Sequence, residues 1–462
     1  MRKVSLLLIV VILLSSLAIL SSCGKHMNAP TINGVSLKKF TIVYDEHGLD
    51  YNKRAAEYIK NVAFERYGVE LDIIDDDNAQ KSNEIIVGET SRPLSLTLNE
   101  ETDGLEFSIL AGDGSVALEG DYFVIAAAAY FFMETYASEN AQKSIVPETA
   151  EIHLPITKEA KNFIMLIGDG MGIYQTRLFE YMENSVDFSD GENLFYGNML
   201  PYRGYSRTDS LSGTTDSAAG GTALACGIKT INKYIGRDKD LNDVKSLTEL
   251  ADELGMAAAV MSTETDTGAT PSSFAAHSGD RDSKGDLMES LINATQKYGT
   301  IVDCGYDFYT ATRIPVIENH IQDNLKTVSE NENGFFFMYE EAYIDKHCHN
   351  NDFKKTMEAM VRFNQAIALF MEFAFYNPDT MVLITADHET GDLYPEDDGK
   401  LAYHHDDHTS ADVFIFAYGQ GAEMFNGVTI ENIQIAHTIA ALMGDENFGD
   451  QSEYQSLTKI NK

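Results

Sequence analysis

The chain has 462 residues, 44% of them hydrophobic, which is enough for two or three domains with real cores and excludes a disordered protein. Its 72 acidic residues outnumber 34 basic ones, and the formal net charge of −38 is spread along the chain. Such a surface excludes nucleic acid and anionic lipid as partners of its bulk, so an anionic substrate would need local positive charge from metal ions or a placed arginine.

The first residues, MRKVSLLLIVVILLSSLAILSSC, set Arg2 and Lys3 before an apolar run and small residues. This is the layout of a secretory signal over residues 1–22. Leu20-Ser21-Ser22-Cys23 resembles a bacterial lipobox. The resemblance implies cleavage before Cys23, lipidation of that cysteine and a lipoprotein tethered to the bacterial envelope, in the periplasm or at the cell surface. The alternative is an uncleaved membrane helix from about Val4 to Leu20, which its length barely permits. The remaining cysteines, Cys226, Cys304 and Cys348, are odd in number and irregular in spacing, so no disulfide framework is implied.

Residues 23–36 read as a tether. Over 37–140 the runs KFTIVY, VELDII, EIIVG, LEFSIL and SVALEG predict short strands. Helical patterns over Tyr51–Tyr67 and near Asp121–Ala137 complete a small α/β domain. Its order and the phrase NEIIVGETSRP resemble the accessory domain that precedes the catalytic domain of some bacterial glycosidases. No catalytic residue transfers with that resemblance, and a spacer or packing partner is the simpler expectation. Residues 141–160, polar and holding Pro147 and Pro155, read as a linker.

Over 161–462 the apolar runs FIMLIG, AAAVMS, FFFMY, MVLITA and VFIFAY alternate with helical segments. They predict an α/β fold with a mostly parallel sheet sandwiched by helices. Ligands in such sheets bind beyond the carboxyl ends of strands, so the residues there are the candidates. Asp169 follows the first run, Glu340 the third, and Asp387 with His388 the fourth. Asp345 and His349 stand four apart, on one face if helical, with His347 turned elsewhere. Of His404, His405 and His408, ahead of VFIFAY, His408 is the chosen ligand. Thr270 and Arg281 share one helix-turn unit, and an arginine there can clamp two phosphoryl oxygens. Ser217 follows Asp216 and opens an Ala/Gly-rich helical run, where the helix dipole and free N–H groups favour an anion or alkoxide. Read alone it is an N-cap; among these acids and histidines it is a nucleophile candidate.

From about Asn162 to Gly444 the motifs IGDGMG, TDSAAGGTALACG, GATPSSFAAH, SENENGFFFMYEEAYIDKHCH, TADH and HTSADVFIFAYG resemble, in order, those of the alkaline phosphatase family. The resemblance implies a phosphomonoesterase with Ser217 as nucleophile, Arg281 as phosphate clamp, and two Zn²⁺ and one Mg²⁺ as cofactors. One zinc site falls on Asp345, His349 and His408, the other on Asp169, Asp387 and His388. The magnesium site falls on Asp169, Thr270 and Glu340, and small phosphate esters are the implied substrates. Two departures stand out. Gly268 occupies a position that is often acidic or histidine in the family, although Lys346 keeps the lysine of bacterial members. Only Gly391–Tyr403 separates TADHET from the histidine stretch, where larger members carry a long insertion, so a barer site is expected and no dimer is implied. The competing readings are a phosphodiesterase or sulfatase of the same superfamily, or an envelope protein whose N-terminal domain binds a glycan. No C/S-x-P-x-R context surrounds Ser217, which counts against a sulfatase.

Overall fold

The computed structural model describes residues 26–45, 50–98, 103–138, 145–181, 194–305 and 315–460. The signal segment, the lipobox and Cys23 lie outside the described residues. One unit runs to Thr157 and includes Met371–Pro378; the other comprises Lys158–Phe370 and Asp379–Lys462. Among the described residues no helix is long and apolar enough to cross a membrane, and Cys226, Cys304 and Cys348 are free thiols.

In the first unit six strands form one sheet in the order Ile73–Asp75, Thr41–Tyr44, Glu84–Val87, Ser115–Gly120, Phe107–Gly112 and Glu151–His153. The first four run parallel and the last two antiparallel to their neighbours. The expected helices form at Asp50–Tyr67 and Ile125–Thr135.

Paired strands lie within both the tether and the linker ranges. Within the tether read over 23–36, Thr31–Ile32 pairs with Val35–Ser36 across Asn33-Gly34, both left-handed at φ 46° and 82°. Asn-Gly is the pair that a tight hairpin turn demands, and with two residues on each side no alternation announces it. Within the linker read over 141–160, Glu151–His153 is the edge strand of the sheet. Three residues closing an edge with backbone hydrogen bonds carry no hydrophobic alternation to announce them. His153 is held by ring contacts at 5.6 Å to Phe107 and 4.5 Å to Phe131.

The second unit is built on eight strands in the order Ile301–Cys304, Ala257–Ser262, Phe335–Glu341, Asn162–Gly168, Thr380–Thr385, Val413–Tyr418, Tyr202–Arg207 and Thr429–Glu431. The first five are mutually parallel. Alternation by two gives the sheet two buried faces. Phe336 meets Phe274 on one face at 6.0 Å. Phe337 and Tyr339 meet Phe370 and Phe363 of helix Phe353–Tyr376 at 5.2 and 6.3 Å. Val413–Tyr418, read from sequence among the strands of a parallel sheet, runs antiparallel to Thr380–Thr385. Its N-terminal end therefore lies at the edge where the parallel strands finish, which brings the histidine stretch ahead of it to Asp387 and His388.

Candidate active site

The helix Ser217–Cys226 is buried along its whole length. Asp216 is its N-cap, accepting the Ala219 N–H at 3.0 Å, and Ser217 is the first helical residue. The helix can approach so closely because it carries no side chain at 220 or 221. A Cβ at Gly220 would come 3.0 Å from the Asp387 carbonyl oxygen, and one at Gly221 would meet Ser273 Oγ at 2.9 Å. Those glycines weaken a helix in isolation, and here close packing beneath the site requires them.

Ser217 Oγ lies 3.2 Å from His388 Nε2. The same nitrogen is 3.4 Å from Asp169 Oδ1 and 3.3 Å from Asp387 Oδ2. The tautomer follows from the other side of the ring. Thr390 Oγ1 donates its one proton to Asp345 Oδ1 at 2.6 Å, so at 3.2 Å from His388 Nδ1 it must accept. Nδ1 thus carries the hydrogen, and the Nε2 lone pair faces Ser217 and the two carboxylates.

A second group assembles on the short helix Tyr343–Cys348 and its cap. His349 Nε2 is 3.3 Å from Asp345 Oδ1 and 3.1 Å from His408 Nε2, which is itself 3.4 Å from Asp345 Oδ1. Both rings use Nδ1 elsewhere: His349 donates to the Asp406 carbonyl at 2.7 Å and His408 to the Thr215 carbonyl at 2.9 Å. Fixing Nδ1–H on an oxygen is how proteins present Nε2 as a ligand. Strand Glu389–Thr390 pairs with His408–Thr409, which stacks His388 on His408 at 3.6 Å and joins the two groups.

Asp169, Thr270 and Glu340 supply oxygen. Asp169 Oδ1, Thr270 Oγ1 and Glu340 Oε1 are buried and make no hydrogen bond, while Glu340 Oε2 accepts from Ser262 Oγ. Arg281 Nη1 donates to Asp216 Oδ2 at 3.2 Å, so the cap of the serine helix also aims the guanidinium.

The charges tell the same story. Burial, then the Asp345 charge, push Asp387 up to about 7; burial, then Glu264, push Glu340 up to about 8. Burial and the Asp387 charge raise Asp169 well above the carboxylate range, and burial holds His388 well below the imidazole range. For His408 burial opposes charge, yet the hydrogen bond to Asp345 and that carboxylate's charge prevail and raise it to about 9. Clustered buried carboxylates and convergent Nε2 atoms are the donor set of divalent cations: nitrogen and oxygen in two groups of three residues, as zinc prefers, and oxygen alone in the third, as magnesium prefers.

Every ligand chosen from the described part of the sequence therefore falls in or beside this centre. His347 does turn elsewhere, and burial and Arg362 lower it to about 4. His404 stacks on Tyr394 at 3.6 Å, and His405 Nδ1 accepts the Asp407 N–H at 3.0 Å. Missed were Thr390, Ser262, Glu264 and the orienting role of Asp216, polar residues in motifs whose sequence gives no sign of the partner.

A family model described as "Alkaline phosphatase" matches residues 160–317 and 302–395. The chain is 28% identical to Alkaline phosphatase 3 of Bacillus subtilis over 289 residues, half of this chain and 62% of that one. It thus spans less than two thirds of that relative's length. It is 24% identical to the alkaline phosphatase of Escherichia coli over 409 residues, covering 62% of this chain and 87% of that one. A solved variant of the TAB5 alkaline phosphatase, with Mg bound in its M3 site, superposes with a TM-score of 0.53 at 25% identity, covering 62% of this chain and 99% of that one.

Proposed function

This chain belongs to the alkaline phosphatase family, and from that premise we propose that it is a metal-dependent phosphomonoesterase acting through a phosphoserine on Ser217. Asp345, His349 and His408 would hold one Zn²⁺, Asp169, Asp387 and His388 the other, and Asp169, Thr270 and Glu340 a Mg²⁺. When bound, these ions would supply the positive charge that favours the Ser217 alkoxide and the developing charge on the phosphoryl group.

The chain's own residues do the rest. Ser217 Oγ forms a bond to phosphorus, the ester P–O bond breaks, and the alcohol leaves with the serine's proton. Water then hydrolyses the phosphoserine, returning the hydroxyl and releasing inorganic phosphate. The helix start favours negative charge at Oγ. Asp216 holds Arg281 so that its fork meets the phosphoryl oxygens without a search for geometry.

The single observation that carries this reading is the 3.2 Å contact of Ser217 Oγ with the presented Nε2 of His388, inside two His/Asp groups. The oxygen triad of Asp169, Thr270 and Glu340 favours a monoesterase over a diesterase, and the ratio of p-nitrophenyl phosphate to bis-p-nitrophenyl phosphate turnover measures that choice. Ser217→Ala should lower monoester turnover by on the order of 10³-fold or more and abolish phosphoserine labelling, with metal content kept. Normal turnover by this variant would sink the assignment. The proposed setting is the bacterial envelope, with Cys23 as lipid anchor; Cys23→Ser should release the protein from membranes.

A further inference from the structure

The family position left empty by Gly268 is not empty in space. Gly268 caps helix Ala269–Ala275 at φ −58° and ψ 154°, a conformation any residue adopts. A Cβ there would strike Glu264, 2.6 Å from Oε2 and 2.8 Å from Cγ. Glu264 follows strand Ala257–Ser262 by two residues, and its N–H donates to Ser262 Oγ at 2.9 Å. That hydroxyl in turn donates to Glu340 Oε2. The Glu264 carboxylate pairs with Lys346 Nζ at 2.7 Å. Lys346 is next in sequence to Asp345, and Glu264 is the largest of the negative neighbours that hold its ammonium charged, ahead of Glu340.

We propose that Glu264 is the outer carboxylate of the magnesium site, filling from another backbone position the space of the side chain that Gly268 lacks and holding Lys346 there. The inference rests on the reading of Asp169, Thr270 and Glu340 as a magnesium site. Glu264 is a positioning residue: its backbone N–H, which any residue at this position keeps, holds Ser262 Oγ on Glu340, while its carboxylate holds Lys346 and would accept hydrogen bonds from water around the ion. A hard cation that retains several waters gains from such an acceptor. An ordinary half-exposed Lys–Glu pair adds little to stability and has no bearing on metal affinity.

The test is magnesium binding to the zinc-loaded full-length protein, by equilibrium dialysis against MgCl₂ with elemental analysis. Glu264→Gln and Glu264→Ala should each weaken magnesium binding by roughly 10–100-fold while zinc content stays at the wild-type level. In the double variant Glu264→Ala/Gly268→Asp the new carboxylate has the vacated space, and magnesium affinity should return to within a few-fold of wild type. Unchanged magnesium affinity in both single variants would overturn the proposal. So would loss without recovery in the double variant, because Glu264 would then serve folding alone. A wild-type protein that binds neither zinc nor magnesium would instead count against the proposed function, so the two failures are distinguishable.

Discussion

Both units are α/β, and both bury carboxylates near strand ends, but Glu84 of the first and the site carboxylates of the second are treated in opposite ways; Glu341, beside Glu340, is answered by Arg362 and goes with Glu84. In the first unit Glu84 is fully buried at the start of its strand and is answered completely. Arg92 Nε meets Glu84 Oε2 at 3.0 Å, the Lys81 N–H donates to Oε1 at 2.8 Å, and Arg92 spends its other nitrogens on the Asp76 and Asn78 carbonyls. In the second unit Asp169, Glu340 and Asp387 are just as buried, and one oxygen of each makes no hydrogen bond. The nearest approach in the first unit is Glu119, raised to about 7 by burial, Glu89 and Asp121, but it is only half-buried, and among the described residues no histidine joins it in a ligand group. A buried charge answered by an arginine belongs to the fold, whereas buried like charges that each keep one oxygen unanswered belong to a ligand.

The contrast breaks most directly at Asp387. Asp387→Asn keeps the Oδ1 that accepts from Gly170 and His388 N–H groups, and removes the charge. Turnover should fall on the order of 10³-fold and zinc content by one ion per chain, while the metal-free protein melts higher than wild type. A metal-free protein destabilised by this change would show that the carboxylates hold the fold together after all.

Arg92→Ala should do the reverse. It strands Glu84 and costs about 3–5 kcal/mol of stability, read by denaturant unfolding, with turnover per folded molecule unchanged. The smallest effect is the pH dependence of the metal-free protein. Asp387, Glu340 and His408 have pKa values raised to about 7, 8 and 9. Their stabilising contribution is complete below the unfolded values of roughly 4 for carboxylates and 6.5 for imidazole, and is lost as pH climbs through the folded ones. The Tm of metal-stripped protein should therefore drop by a few degrees between pH 6 and pH 9, and added zinc and magnesium should reverse the drop. A Tm that rose over that range would contradict the electrostatic picture of the site.

The α/β class, the five buried sheet runs, the acids that follow three of them and the serine at a helix start were all legible in the amino-acid sequence. These are legible because each depends on a residue's immediate neighbours: the period of its strand, the turn after it, the cap before it. The Ala/Gly-rich character of the serine helix was legible, but what its glycines pack against, Asp387 for Gly220 and Ser273 for Gly221, was not. The antiparallel course of Val413–Tyr418, which brings His408 to the site, is set by its pairing with Thr380–Thr385 and could be read only from the folded chain. The tertiary structure alone fixed the His388 tautomer through Thr390 and Asp345, and coupled Arg281 to the serine helix through Asp216. It also put Glu264 where Gly268 has no side chain. Each of these depends on a partner from another segment, and hydrogen-bond direction, tautomer and close approach are set by where two chains meet.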